Sequence, residues 1–136
     1  MVVPKKYLPR KEEIFQQYLH TLDCHLQDVL DGKADDMYEL RDIAKEMHIH
    51  PTHLSNVIKA HTGNHPCHFY ELKILKIAKD LLQDGNYTIA DVAHILTYDP
   101  SNFTKWFKAF TGMTPSQYRK AFSAGILEEK TEVRTI

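Results

Sequence analysis

Two rows of polar side chains stand out in this chain for their types and their spacing. Thr52, Ser55, Asn56 and Lys59 lie at i, i+3, i+4 and i+7, which is one stripe of a helix. Ser101, Asn102, Lys105 and Lys108 form a second row of similar make-up. Hydroxyls, carboxamides and ammonium groups without an adjacent base do not break bonds; they donate and accept hydrogen bonds. Asn pairs in a bidentate manner with adenine, Lys with guanine, and Ser or Thr with either kind of base edge. Lys59 and Lys108, late in their rows, suit phosphates instead, contacts that position a protein without specifying sequence.

The histidines invite a metal reading. His48, His50 and His53 are followed by His61, His65, Cys67 and His68. Zinc takes four nitrogen or sulfur ligands, usually as two closely spaced pairs. His65, Cys67 and His68 make one crowded group with no firm second pair, so these side chains read as loop and surface histidines and no metal or other cofactor is expected. No catalytic triad, paired-carboxylate cleft or activated nucleophile emerges, so the chain is not expected to be an enzyme. Cys67 has no evident base, and Ser101 and Ser116 fit helix starts. Cys24 and Cys67 give no disulfide framework and read as reduced thiols of a cytoplasmic protein.

Composition narrows the classes further. With 136 residues, 43% of them hydrophobic and 26% charged, the chain can bury a real core without staples. No apolar run approaches the ~20 residues of a membrane span, and the start shows no secretory signal. The five glycines form no phosphate-cradling loop. Net charge is only −1, which argues mildly against a nucleic-acid partner, yet the charge is polarised. His48 to Phe122 holds eight basic residues against five acidic ones, while acid concentrates in Asp23 to Glu46 and Glu128 to Glu132.

Helical periodicity dominates, and strand alternation is nearly absent. Seven helices are expected. The first covers about 12–31, with an apolar stripe from Ile14 to Leu30 and Gly32 as its stop. The second, about Met37 to Met47, buries Tyr38, Leu40, Ile43, Ala44 and Met47. The third starts at Pro51 and turns Leu54, Val57 and Ile58 inward. The fourth, about Cys67 to Gln83, buries Phe69, Leu72, Leu75, Ala78, Leu81 and Leu82. Thr88 with Asp91 forms a capping box for the fifth, which runs to about Leu96. Asp99-Pro100 opens the sixth, Ser101 to Phe110, and Thr114-Pro115 a short seventh ending near Phe122. Trp106, Phe107 and Phe110 are expected in the core, and the tail after Gly125 reads as frayed.

An internal repeat organises these elements. Slid by 49 residues, Asp42, Ala44, Pro51, Lys59, Ala60, Thr62 and Gly63 fall on Asp91, Ala93, Pro100, Lys108, Ala109, Thr111 and Gly112. Each unit is a helix, a short turn and a second helix, the helix-turn-helix plan, in which the second helix enters the major groove. Any single solvated helix looks polar on one side; two polar rows in fixed register are far more specific. The domain plan is an N-terminal arm at 1–11, a first helix-turn-helix subdomain at 12–65, a linker helix at 66–84, a second subdomain at 85–122 and a tail at 123–136. A 17-residue linker helix spans roughly 25 Å, a strut able to hold two reading helices about one DNA turn, ~34 Å, apart.

On these motifs the stretch from about Glu12 to Phe122 resembles the DNA-binding domain of the AraC/XylS family of transcription regulators. The strongest match runs from Phe103 to Arg119, FTKWFKAFTGMTPSQYR, with Ile43-Ala44, Leu54-Ser55, Lys59 and Thr62-Gly63 in the first unit. Ile77-Ala78 and Leu81-Leu82 match the linker helix. The resemblance implies an all-α fold of homeodomain-like three-helix units and control of transcription, usually activation through RNA polymerase. It implies double-stranded DNA as partner, and a sensor domain or dimer partner outside this chain. By position the base readers are Thr52, Ser55 and Asn56, then Ser101, Asn102 and Lys105, with Lys59 and Lys108 on phosphate. Two departures are visible. The second turn has Thr97-Tyr98 where the family usually places Gly and an aromatic residue, and it is one residue shorter. Without glycine, positive φ is harder to reach, which predicts a tighter turn. Lys73 stands where Arg is common. A protein-interaction domain that has lost DNA affinity is the alternative reading, and a small metal- or redox-responsive module the third.

Overall fold

A computed structural model describes residues 10–125 of the chain. Seven helices, and no strand among the described residues, follow in order: α1 (Arg10–Leu30), α2 (Leu40–Glu46), α3 (Pro51–Thr62), α4 (Pro66–Gln83), α5 (Ile89–Ile95), α6 (Pro100–Thr111) and α7 (Pro115–Ser123). The chain divides into two compact units, and the division falls inside α4, between Lys73 and Ile74. The expected arm at 1–11, the tail at 123–136 and its fraying lie almost wholly outside the described residues.

The first unit is built on the stripe of α1. Ile14, Tyr18, Leu22, Leu26 and Val29 are buried there. Ile43, Ala44 and Met47 cover them from α2 and its end, and Leu54 and Ile58 from α3. Phe69 and Tyr70 on the first half of α4 close the same core. Fully burying one such aliphatic or aromatic side chain is worth about 1.5–3 kcal/mol, so this stripe is what holds a seven-residue α2 in place. The buried polar atoms are answered: the Tyr18 hydroxyl donates to the Pro66 carbonyl at 2.8 Å. Burial, with smaller contributions from Cys67 and Tyr70, holds that phenol far above its ordinary titration range.

The second unit repeats the plan with larger side chains. Ile74, Ala78 and Leu82 on the second half of α4, Val92, Ala93 and Leu96 on α5 and its end, and Phe103 and Phe107 on α6 are all buried. Tyr118 of α7 meets Phe107 edge-on at 5.5 Å between ring centroids. The capping boxes expected at Thr88 and Asp91 are formed, and Thr114 pairs in the same way with Gln117. Arg119 Nε donates to the Leu82 carbonyl at 2.8 Å, which ties α7 to the last turn of α4.

Three expectations about packing are corrected. The second helix starts at Leu40, not Met37, with Glu39 as N-cap in a capping box with Asp42. Tyr38 is therefore outside the helix and exposed; its ring stacks on His25 at 4.0 Å. Its N–H donates to His25 Nε2 at 2.9 Å, and its carbonyl accepts from the Tyr70 hydroxyl at 2.8 Å. On α4 the buried positions are Phe69, Tyr70, Ile74, Ala78 and Leu82, while Leu72, Leu75 and Leu81 are half-buried. The helix serves two cores in succession, and its buried stripe is narrower than the run of leucines. Phe110 is 41% exposed and Trp106 half-buried, so only Phe107 of that aromatic trio is core.

Candidate nucleic-acid interface

Each outward polar row sits on a helix whose two ends are set by local chemistry. Before α3, the backbone ends α2 by a left-handed residue, His48 at φ 58. The His48 N–H reaches the Lys45 carbonyl and the Ile49 N–H the Ala44 carbonyl, both at 3.0 Å. Before α6, Thr97 takes φ 65, its N–H reaches the His94 carbonyl at 3.0 Å, and the Tyr98 N–H the Ala93 carbonyl at 2.8 Å. Both are Schellman endings made without glycine. The tighter second turn expected from the missing glycine is therefore not found: Thr97 accepts the left-handed conformation, a strained one for a β-branched residue.

The helix starts also correspond. The backbone is at φ −67, ψ 136 at His50 and φ −65, ψ 135 at Asp99, and proline follows each. Yet the caps differ in charge. His50 Nδ1 accepts from the Thr52 N–H at 3.1 Å, so that nitrogen carries no proton. The Asp99 carboxylate accepts from the Ser101 N–H at 3.1 Å and the Asn102 N–H at 3.3 Å, and the Ser101 hydroxyl donates to it at 2.8 Å. Those bonds, with Ser101 first, hold the Asp99 carboxyl below its ordinary range. At the far ends Gly63 and Gly112 sit at φ 84 and 82, where a side chain would be strained. Thr62 and Thr111 each donate to the carbonyl four residues back, at 2.7 and 2.9 Å.

Between these fixed ends the polar rows face outward. Thr52, Asn56 and Lys59 on α3 are exposed, and so are Ser101, Asn102, Lys105 and Lys108 on α6. Ser55 is half-buried at the edge of its row. Among the described residues, the side chains of Asn56, Lys59, Asn102, Lys105 and Lys108 have no hydrogen-bond or ion-pair partner within the chain. Such groups are available to an outside partner, whereas Lys73 is committed to Asp23 at 2.7 Å.

The histidines find separate employment. His50 caps α3; His65 caps α4, its Nδ1 accepting from the Cys67 N–H at 3.1 Å. His61 pairs with Glu12 at 2.8 Å and lies against Phe15. His53 is exposed on α3 and, with Arg10, His48 and His50, lines an open hollow of about 400 Å³. Among the described residues no three His, Cys, Asp or Glu side chains converge as a metal would require. Burial, then the Glu71 carboxylate, pushes the Cys67 thiol up, which disfavours the thiolate. The spacing of the motif could have drawn attention to His53, since it falls on Asn102 under the 49-residue shift; the row pattern passed over it.

The chain is similar to known regulators. The family model described as "Helix-turn-helix domain" matches residues 43–121. The uncharacterized HTH-type transcriptional regulator YobQ of Bacillus subtilis (strain 168) is 35% identical over 81 residues, 59% of this chain and 34% of that protein. The arabinose operon regulatory protein of Salmonella typhimurium is 26% identical over 121 residues, covering 85% of this chain and 43% of that one. Among solved structures, the DNA-binding domain of the global transcriptional factor AdpA, in complex with a target DNA, has a TM-score of 0.66 at 17% identity, over 80% of this chain and 95% of that domain. The chain thus spans less than half the length of these curated relatives. Among the described residues no helix is long and apolar enough to cross a membrane. With seven helices among the described residues, a twice-used turn and this match across more than half its length, the chain belongs to the helix-turn-helix domain family, in the AraC/XylS type.

Proposed function

We propose that the chain is the sequence-specific double-stranded-DNA-reading part of a transcription regulator. The observation that carries this is duplication: two helices with the same preceding turn, proline start and glycine end each present an outward polar row. Thr52, Ser55 and Asn56 read bases in one major-groove segment, and Ser101, Asn102 and Lys105 in the next. Lys59 and Lys108 take phosphates. α4 serves as the connector of the two subdomains, 12–65 and 85–122, and AdpA's complex with a target DNA is the precedent on this fold. Acting by binding alone, the chain has no enzymatic step and no cofactor. Activation through RNA polymerase, work in the cytoplasm, and a sensor domain or dimer partner supplied elsewhere complete the reading.

The test is selection from a random duplex library, then fluorescence anisotropy on the enriched site at several salt concentrations. The expected result is an asymmetric motif of two blocks, with log affinity falling steeply against log salt. No enrichment, or affinity indifferent to salt, overturns it. A protein-interaction domain is the second reading, and one observation favours it: Tyr98, Trp106 and Phe110 form an aromatic ledge on the second unit, with Trp106 5.6 Å from Tyr98 and 5.2 Å from Phe110.

A further inference from the structure

We infer that His53 is a fourth base-reading residue of α3, directed at guanine; this rests on the DNA-reading function above. The two reading helices have matching backbones at both ends. The turns at His48 and Thr97, the caps at His50 and Asp99, and the glycine ends at Gly63 and Gly112 agree in dihedral angles to within a few degrees. Residues at equal offsets therefore leave the two helices in equal directions. His53 stands where Asn102 stands, one residue after Thr52 as Asn102 is one after Ser101.

Position on the helix supports the assignment. At about 100° per residue, Asn56 points opposite the buried pair Leu54 and Ile58, with His53 ~60° to one side of it and Thr52 ~40° to the other. His53 is exposed, and its side chain has no hydrogen-bond or ion-pair partner among the described residues. Ser55, in contrast, matches Thr104, whose hydroxyl is turned back onto the Pro100 carbonyl at 3.0 Å. The hollow beside His53 leaves its ring room to reorient.

The chemistry selects the base. An imidazole N–H donates, and guanine presents two acceptors, N7 and O6, on its major-groove edge. Asn at the same place makes the bidentate pair with adenine N6 and N7 instead. The substitution His53→Asn thus copies the second unit's reader into the first.

The experiment selects duplexes with the 136-residue chain and with its H53N and H53A forms, and measures affinity and thermal unfolding for each. Expected are one guanine in the first block for the parent, adenine at that position for H53N, and indifference for H53A. Each exchange of the preferred base should change affinity about tenfold, with unfolding and the second block unmoved. An unchanged motif in both variants overturns the inference. So does a loss of affinity equal across all sequences, which would make His53 a phosphate contact. If the parent itself enriches no duplex, the DNA-reading function falls first and this inference with it.

Discussion

The two units share one backbone and almost no surface. In the first, α3 rests on Leu54 and Ile58, is capped by an uncharged imidazole nitrogen and shows one lysine in its row. In the second, α6 rests on Phe103 and Phe107, is capped by a carboxylate and shows two lysines. The same Schellman turn precedes both, made by His48 in one and Thr97 in the other. What the units have in common is therefore apolar spacing, a proline at N1 and a glycine after the last turn; those set the frame. What differs is most of the exposed polar row, with Lys59 and Lys108 the position kept in both. On the proposed function, equal frames with unequal faces would make an asymmetric reader.

The comparison breaks most severely if one core is emptied. Phe103→Ala removes a fully buried ring and is expected to cost about 3–5 kcal/mol. It should erase the second block of a selected motif while the first remains; loss of both blocks would show that the units do not hold their frames separately. Next in size, Lys105→Ala should relax preference at one base position, worth about 1–3 kcal/mol of discrimination. Lys108→Ala should instead weaken binding evenly over all sequences and lower the salt slope by about one. Both are read by anisotropy on matched and mismatched duplexes.

Acid should separate the units as well. His25 is 5% exposed, and its Nε2 must stay unprotonated to accept the Tyr38 N–H. Burial lowers its pKa from 6.5, outweighing Asp28, Asp42 and Glu46, which pull the other way. A folded pKa below the unfolded one means the contribution is fully present above pH 6.5 and is lost as pH falls beneath it. Amide exchange in the α1–α2 connection should therefore quicken as pH drops from 7 to 5, and the second unit should not follow in that range; no difference between the units would sink the account. The smallest effect sits in the turns. Thr97→Gly should relieve strain and raise stability by about 1 kcal/mol, measured by denaturant midpoint, and His48→Gly by less, since histidine tolerates left-handed backbone better.

Much of this frame is legible in the residue order because the signals are local. Asp99-Pro100, Thr88 with Asp91, and Thr114-Pro115 announce helix starts within four residues, and all three form as read. The repeat made two weak patterns into one strong one. Non-local facts were not legible. Tyr38 looked like the first apolar residue of a helix, but His25, thirteen residues earlier, claims its N–H and its ring. Phe110 has the spacing of a core residue on α6 and remains exposed because nothing among the described residues covers it fully. Thr97 violated the expectation drawn from glycine, since two backbone hydrogen bonds and the packing of Leu96 and Phe103 hold a conformation that threonine disfavours on its own. The polar rows were legible from spacing alone, and all of their residues but the half-buried Ser55 are exposed.

The bond from the Ser101 hydroxyl to Asp99 has a last consequence. A serine hydroxyl that rotates freely is ambiguous, offering its proton to one base and its lone pairs to another. Ser101 has spent its proton on the carboxylate 2.8 Å away, a charge-assisted bond stronger than a neutral one. On the proposed function, what Ser101 would offer a base is its lone pairs, which take an amino group, carried in the major groove by adenine and cytosine and not by guanine and thymine. One intramolecular bond would thus turn the least selective side chain of the row into a filter with two settings in place of four.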